Sequence, residues 1–216
     1  MIIDMHVHSS ASDDAAADVE AYLKWIRFLR KNHQIDGLVL TEHRQYGEET
    51  DYAGLAEQYE ILILQGAEAE TDWGHVLLYG AGEELARRFD LRSPHLKAVE
   101  LIQEAHRCGG IAVPAHPGRR NIGLCDYEEQ LDGISEIRVV EALNGSSKSA
   151  ENLRAQELAA RRGYFGIGGS DAHYVSSIGS CLTRFDFPVR GMDDLVAALR
   201  QGRCRPIRLE EAKRQA

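Results

Sequence analysis

Apolar, β-rich runs alternate with helically spaced runs along nearly the whole chain. This rhythm restricts the fold to repeated βα units around a mostly parallel sheet or barrel. Strands are predicted at Met1–His8, Gly37–Glu42, Ile61–Glu68, His75–Gly80, Ile111–Ala115, Ile137–Ala142 and Gly166–Ser170. Between them, Asp18–Lys31 places Val19, Tyr22, Leu23, Ile26 and Leu29 at helical spacing behind Asp18 as N-cap. Ser93–Cys108 repeats the pattern, with Ser93 as cap, Pro94 at the first helical position and Gly109-Gly110 as the stop. Ser149–Arg162 ends on Gly163, and Met192–Arg200 ends near Gly202. No proline-rich linker, low-complexity tract or internal repeat interrupts the 216 residues, so one α/β domain spanning residues 1–216 is expected. Glu210–Ala216 reads as a charged tail that frays.

Charge narrows the partners. Twenty-five Lys and Arg against 34 Asp and Glu give −9, which argues against a surface that tracks long polyphosphate backbones and leaves a small substrate or a short oligonucleotide. The chain opens on MIIDMHVH without a basic stretch and apolar h-region, and no apolar run approaches the roughly 20 residues of a membrane span. A cytoplasmic location is therefore expected. Cys108, Cys125, Cys181 and Cys204 never form a C-x-x-C pair and read as small buried hydrophobes.

The informative residue type is histidine, because six of nine fall at or near predicted strand ends. In Asp4-Met5-His6-Val7-His8, strand alternation points His6 and His8 to one face, and an H-x-H pair is costly to bury without a ligand. Asp4 shares that face, as a partner of the imidazoles or simply as a strand-start carboxylate. Asp171 and His173 sit two apart after a run of small residues that lets backbone or metal approach closely. Between these pairs come His43 in Thr41-Glu42-His43, Glu68 after ILILQ, His75 opening VLLYG, and His116 in Ala115-His116-Pro117. Strand ends converge on one rim in a parallel barrel, so these scattered residues are expected to meet. His33, His95 and His106 lie in helical or loop contexts and are assigned to surface or packing.

Taken in order, HVHSSASDD, TEH, GAEAE, GHVLLYG, AHP and GSDAH resemble the motifs of the polymerase and histidinol phosphatase (PHP) superfamily, over His6 to His173. The resemblance implies a distorted seven-stranded β/α, TIM-like barrel with two or three divalent metal ions, zinc, manganese or iron, at its rim. It also implies that His6, His8, Glu68 and Asp171 hold one metal, that Asp13, His43 and His173 hold a second, and that Glu68, His75 and His116 complete a third with Glu68 bridging. Asp14 stands where the family motif commonly has glycine, so either Asp13 or Asp14 supplies that carboxylate. Glu42 and Glu70 flank motif residues: alternation points Glu42 away from the cluster and Glu70 toward it. Imidazoles with carboxylates, and no paired cysteines, suit zinc, manganese or ferrous iron.

The function implied is a metal-dependent phosphoric ester hydrolase (phosphoesterase), with Glu68, Asp171 and His173 as catalytic residues. A metal-bridging hydroxide would attack a phosphomonoester or small nucleotide phosphodiester. Ser170 lies in GGSDA, outside any G-x-S-x-G turn, and no Walker loop is present, so no other hydrolytic chemistry competes. The alternatives are a 5′–3′ exonuclease on short oligonucleotides and a non-catalytic metal-binding regulatory domain. Arg119 and Arg120, just past His116-Pro117-Gly118, are candidate substrate-binding residues, because a carboxylate-lined rim needs a cation to hold an anionic ester.

Overall fold

The computed structural model describes residues 1–46 and 50–213. Nine strands and six helices follow the predicted alternation: β1 (Ile2–Val7), α1 (Val19–Leu29), β2 (Gly37–His43), α2 (Ala53–Tyr59), β3 (Leu62–Thr71), β4 (Gly74–Tyr79), α3 (Gly82–Ala86), α4 (Ala98–Arg107), β5 (Ile111–Pro114), β6 (Val139–Asn144), α5 (Ser149–Arg162), β7 (Phe165–Gly169), β8 (Cys181–Phe185), α6 (Met192–Arg200) and β9 (Cys204–Arg208). Two expected helices keep their caps. Asp18 accepts the Ala21 N–H at 2.6 Å ahead of α1, whose Val19, Tyr22, Leu23 and Ile26 are buried. Gly163 ends α5 in the left-handed region.

A closed parallel barrel does not form. Seven strands make one curled sheet in the order β5-β4-β3-β2-β1-β8-β9, while β6 and β7 pair in a separate two-stranded sheet, so the architecture is an open half-barrel. Only β1-β2-β3 and β6-β7 run parallel. The reason is connection length: Asp72-Trp73 alone joins β3 to β4, and so short a link makes the pair antiparallel. β4 then starts at the rim where β2 ends, which places His75 beside Glu68 although it opens its strand.

The β7 end closes against β1 through glycine. A Cβ at Gly169 would lie 2.4 Å from His6 Cβ, so only glycine admits this approach. The Asp171 N–H then donates to His6 O at 2.7 Å, and the His8 N–H to Ala172 O at 3.0 Å. Buried Asp4 accepts the Ser170 and Gly179 N–H groups, each at 2.8 Å. It thus ties β1 to the β7 loop, and burial lifts its carboxyl to about 6 against those bonds.

Other expectations are corrected. The helix predicted from Ser93 starts at Ala98, because Leu96 pairs with Thr71 and Asp72 accepts the Ala98 N–H at 2.9 Å. Helices α2 and α3 and strands β8 and β9 were not predicted. Of the charged tail, residues 214–216 lie outside the described residues, whereas Ala212 is buried and Lys213 pairs with His33. Among the described residues no helix is long and apolar enough to cross a membrane.

Candidate metal centre

The rim of β1 to β4, β5 and β7 gathers every motif histidine around Glu68. His6 and His8 point the same way, as strand alternation requires, and their Nε2 atoms stand 2.9 Å apart. Glu68 is fully buried and divides its oxygens. Its Oε2 lies 3.3 Å from His6 Nε2, 3.2 Å from His8 Nε2 and 3.1 Å from His43 Nδ1. Its Oε1 lies 3.0 Å from His75 Nδ1 and 3.1 Å from His116 Nε2. Asp171, with φ +53°, aims Oδ1 at the same pair, 3.5 Å from His6 Nε2 and 3.3 Å from His8 Nε2. These side chains line or floor an open cavity of about 280 Å³.

The adjacent carboxylates of Asp13 and Asp14 point to different partners. Asp13 turns out to pair with Arg44 NH2 at 2.5 Å, whereas Asp14 Oδ2 stands 3.2 Å from His173 Nε2 and 3.4 Å from His43 Nε2. The cause is local. Buried Glu42 accepts from Ser9 N and Oγ and from Ser12 Oγ, and Ser12 Oγ accepts the His43 N–H at 3.0 Å. This knot sets the loop that brings Asp14 to the rim. Glu42 thus points away from the cluster, as alternation predicts, while Glu70 lines the cavity 3.5 Å from Arg44 NH1.

Sequence reasoning missed Glu141. It is fully buried in β6, its Oε1 lies 3.0 Å from His6 Nδ1, and its Oε2 accepts the His116 N–H at 2.7 Å. The available signal was a lone acid inside the apolar run Val139-Val140-Glu141-Ala142-Leu143. The two candidate arginines separate. Arg119 NH2 reaches Asp171 Oδ2 at 2.6 Å and Asn144 Oδ1 at 3.0 Å, and Nε reaches Ser147 Oγ at 2.9 Å. Arg119 lines the cavity, and Arg120 is exposed outside it.

Electrostatics favour positive charge at the centre. Burial opposes a charged His6, but Glu141, Asp171 and Glu68 outweigh it and hold its pKa well above the usual imidazole range. Burial likewise opposes His8, and Asp171 and Glu68 raise it. Burial pushes Glu68 and Asp171 up, yet the imidazoles, His6 foremost, carry both below the usual carboxylate range. Burial lowers His43 to about 4 and also lowers His116. The donor set fits divalent cations. Among the described residues three groups each hold their donor atoms within 4.8 Å of one another: His6, His8 and Glu68; His8, His43 and His173; and His43, Glu68 and His75. Buried His43 Nδ1, moreover, has no hydrogen-bond partner although a carboxylate oxygen lies beside it. Nitrogen and oxygen donors without thiolates suit zinc, manganese or ferrous iron.

Residues 149–204 match the PHP-associated family model. An uncharacterized protein of Methanocaldococcus jannaschii is 27% identical over 140 residues, 62% of this chain and 56% of that relative, so the match spans little more than half of its length. Among solved structures, PsfC of Pseudomonas syringae superposes with a TM-score of 0.70 at 22% identity, over 98% of this chain and 92% of that one. The lesion-specific endonuclease EndoQ of Pyrococcus furiosus gives 0.67 at 16% identity, over 95% and 58%. A Bifidobacterium adolescentis protein assigned as a metal-dependent phosphoesterase gives 0.60 at 19% identity, over 80% and 87%. The resemblance carried by the six motifs thus agrees with the family model at the carboxy-terminal side and with the fold throughout.

Proposed function

We propose that this chain, with a PHP-associated segment on a fold it shares with metal-dependent phosphoesterases, is a metal-dependent hydrolase of phosphate esters, working as one unit in the cytoplasm. The observation that carries this reading is the divided carboxylate of Glu68, which faces His6 and His8 with one oxygen and His75 and His116 with the other. Glu68, with His6 and His8 on one side and His75 and His116 on the other, would hold divalent cations. Bound between these ligands, divalent metals acidify a coordinated water and neutralise charge on the transferring phosphoryl oxygens.

The chain's own residues do the rest. Glu141, 3.0 Å from His6 Nδ1, orients the ring with Nε2 toward the centre. Asp171 faces the imidazoles through Oδ1 and holds Arg119 through Oδ2, so the guanidinium is poised to grip a phosphoryl oxygen beside the metals. His173 and Asp14, 3.2 Å apart, line the cavity on its more exposed side. The test is hydrolysis of an aryl phosphate with added manganese. Activity that a chelator abolishes supports the reading, and inactivity across monoesters, cyclic nucleotides and dinucleotides on protein of measured metal content overturns it. The likeness to the endonuclease EndoQ favours a second reading, cleavage of a phosphodiester in a short oligonucleotide, which a steep fall of activity with salt would distinguish.

A further inference from the structure

The metal cavity continues beyond Arg119. That side chain also lines a neighbouring cavity of about 660 Å³ bounded by Arg120, Lys148 and Arg154, and Arg120 and Arg154 line a third that reaches Tyr127. The three adjoin through these shared walls and so form a row of clefts, a groove running from the metal cavity past Arg119. On a chain of net charge −9, the groove carries three cations besides Arg119, against Glu151 and Asp126. Both acids are engaged. Asp126 accepts from Arg154 NH2 and from the Asn121 N–H, each at 2.7 Å, and Glu151 accepts the Lys148 N–H at 2.8 Å. Arg120 and Lys148 are exposed, and among the described residues neither has an ion-pair partner.

Two exposed cations without an ion-pair contact, Arg120 with Asp126 nearby and Lys148, in clefts beside the metal cavity are suited to a further anion. We infer that the groove is a second phosphate subsite, which takes a phosphoryl group of the substrate other than the one at the metals. Arg120 and Lys148 contact it, and Arg154, held by Asp126, forms the far wall. The inference rests on the hydrolase reading above. A substrate with one phosphate fills only the metal cavity. One with two spans both, and the tether makes the second contact effectively intramolecular. A compact bisphosphorylated ester and the neighbouring phosphodiester of a short oligonucleotide share this chemistry.

Calorimetric titration of the manganese-loaded full chain with phenyl phosphate, an alkanediol bisphosphate and a 5′-phosphorylated dinucleotide tests it. At least one two-phosphate probe is expected to bind about tenfold tighter than phenyl phosphate, roughly 1.4 kcal/mol. Lys148→Glu and Arg120→Glu should each remove most of that gain, with Lys148→Gln and Arg120→Gln as milder variants should a reversal fail to fold. A gain confined to the bisphosphate assigns the subsite to compact substrates, and a gain for the dinucleotide assigns it to strand ends. No gain for either probe, or a gain that survives all four substitutions, overturns the subsite. The titrations are run under conditions in which parallel assay of released inorganic phosphate shows negligible turnover, so binding and hydrolysis are read separately. A gain without hydrolysis of any ester therefore keeps the subsite and removes the hydrolase reading, and hydrolysis of phenyl phosphate without a gain does the reverse.

Discussion

Glu141 and His6 meet across the seam between the two sheets, Oε1 to Nδ1 at 3.0 Å, while the other Glu141 oxygen holds the His116 backbone N–H at 2.7 Å. One buried carboxylate therefore orients an imidazole on β1 and the turn after β5. Outer partners of this kind fix tautomer and ring orientation, and their loss typically costs 10–100-fold in metal affinity. Glu141→Gln is expected to weaken manganese or zinc binding by about that factor, measured by competition with a chromophoric chelator. Unchanged affinity would mean that packing alone orients His6.

The Asp13 and Asp14 carboxylates are adjacent in sequence and separate in space. Asp14 reaches both His43 and His173, and Asp13 faces Arg44. Asp14→Asn should lower metal content by about one site per chain, read by elemental analysis, because an amide oxygen binds a hard cation more weakly than a carboxylate. Asp13→Asn should retain the wild-type metal content. The opposite pattern would restore Asp13 as the ligand.

Glu68→Gln is expected to lower activity more than any other single carboxamide change, by at least about 100-fold, roughly 2.7 kcal/mol in kcat/KM. One of its oxygens faces His6, His8 and His43 and the other His75 and His116, so the substitution would remove charge from both sides of the centre at once. Full activity with unchanged metal stoichiometry would sink the bridging role.

Chelation should also cost stability, because without cations the convergent carboxylates of Glu68, Asp171 and Asp14 keep only imidazoles and, at Asp171, the Arg119 guanidinium to offset them. A metal held at 100 times its Kd stabilises by about 2.7 kcal/mol. At roughly 2–4 °C per kcal/mol for a chain of this size, Tm should fall by roughly 5–11 °C on chelation. An unmoved Tm would mean that no metal binds the folded form preferentially.

Much of this centre was legible because strand alternation is rigid. His6 and His8 follow from period two, and Glu42 turning from the cluster follows from the same rule. What escaped depended on partners distant in sequence. Asp14 is brought to the rim by a loop tied to Glu42, Glu141 acts across two sheets, and α4 loses its first turn because Leu96 pairs with Thr71. Strand β9 carries Pro206, which reads against a strand and is tolerated because β9 is the sheet edge. The closed parallel barrel failed at three places: Asp72-Trp73 reverses β4, β8 runs antiparallel to β1, and β6 and β7 pair apart from the main sheet.

The last prediction concerns Arg119. Its guanidinium is already aligned by Asp171, Asn144 and Ser147, so little side-chain entropy remains to be lost when it grips an anion. Arg119→Ala should raise KM or lower kcat/KM for an aryl monophosphate at least tenfold, about 1.4 kcal/mol, with metal content intact. Arg119→Lys should recover only part of this, since an ammonium supplies the charge without the planar fork that holds Asp171 and substrate together. Removing the side chain also frees Asp171 Oδ2, so metal content must be measured alongside the kinetics. A loss of metal in Arg119→Ala would recast the residue as a positioning group for Asp171. Wild-type kinetics in both variants would leave the phosphate to metals and backbone alone.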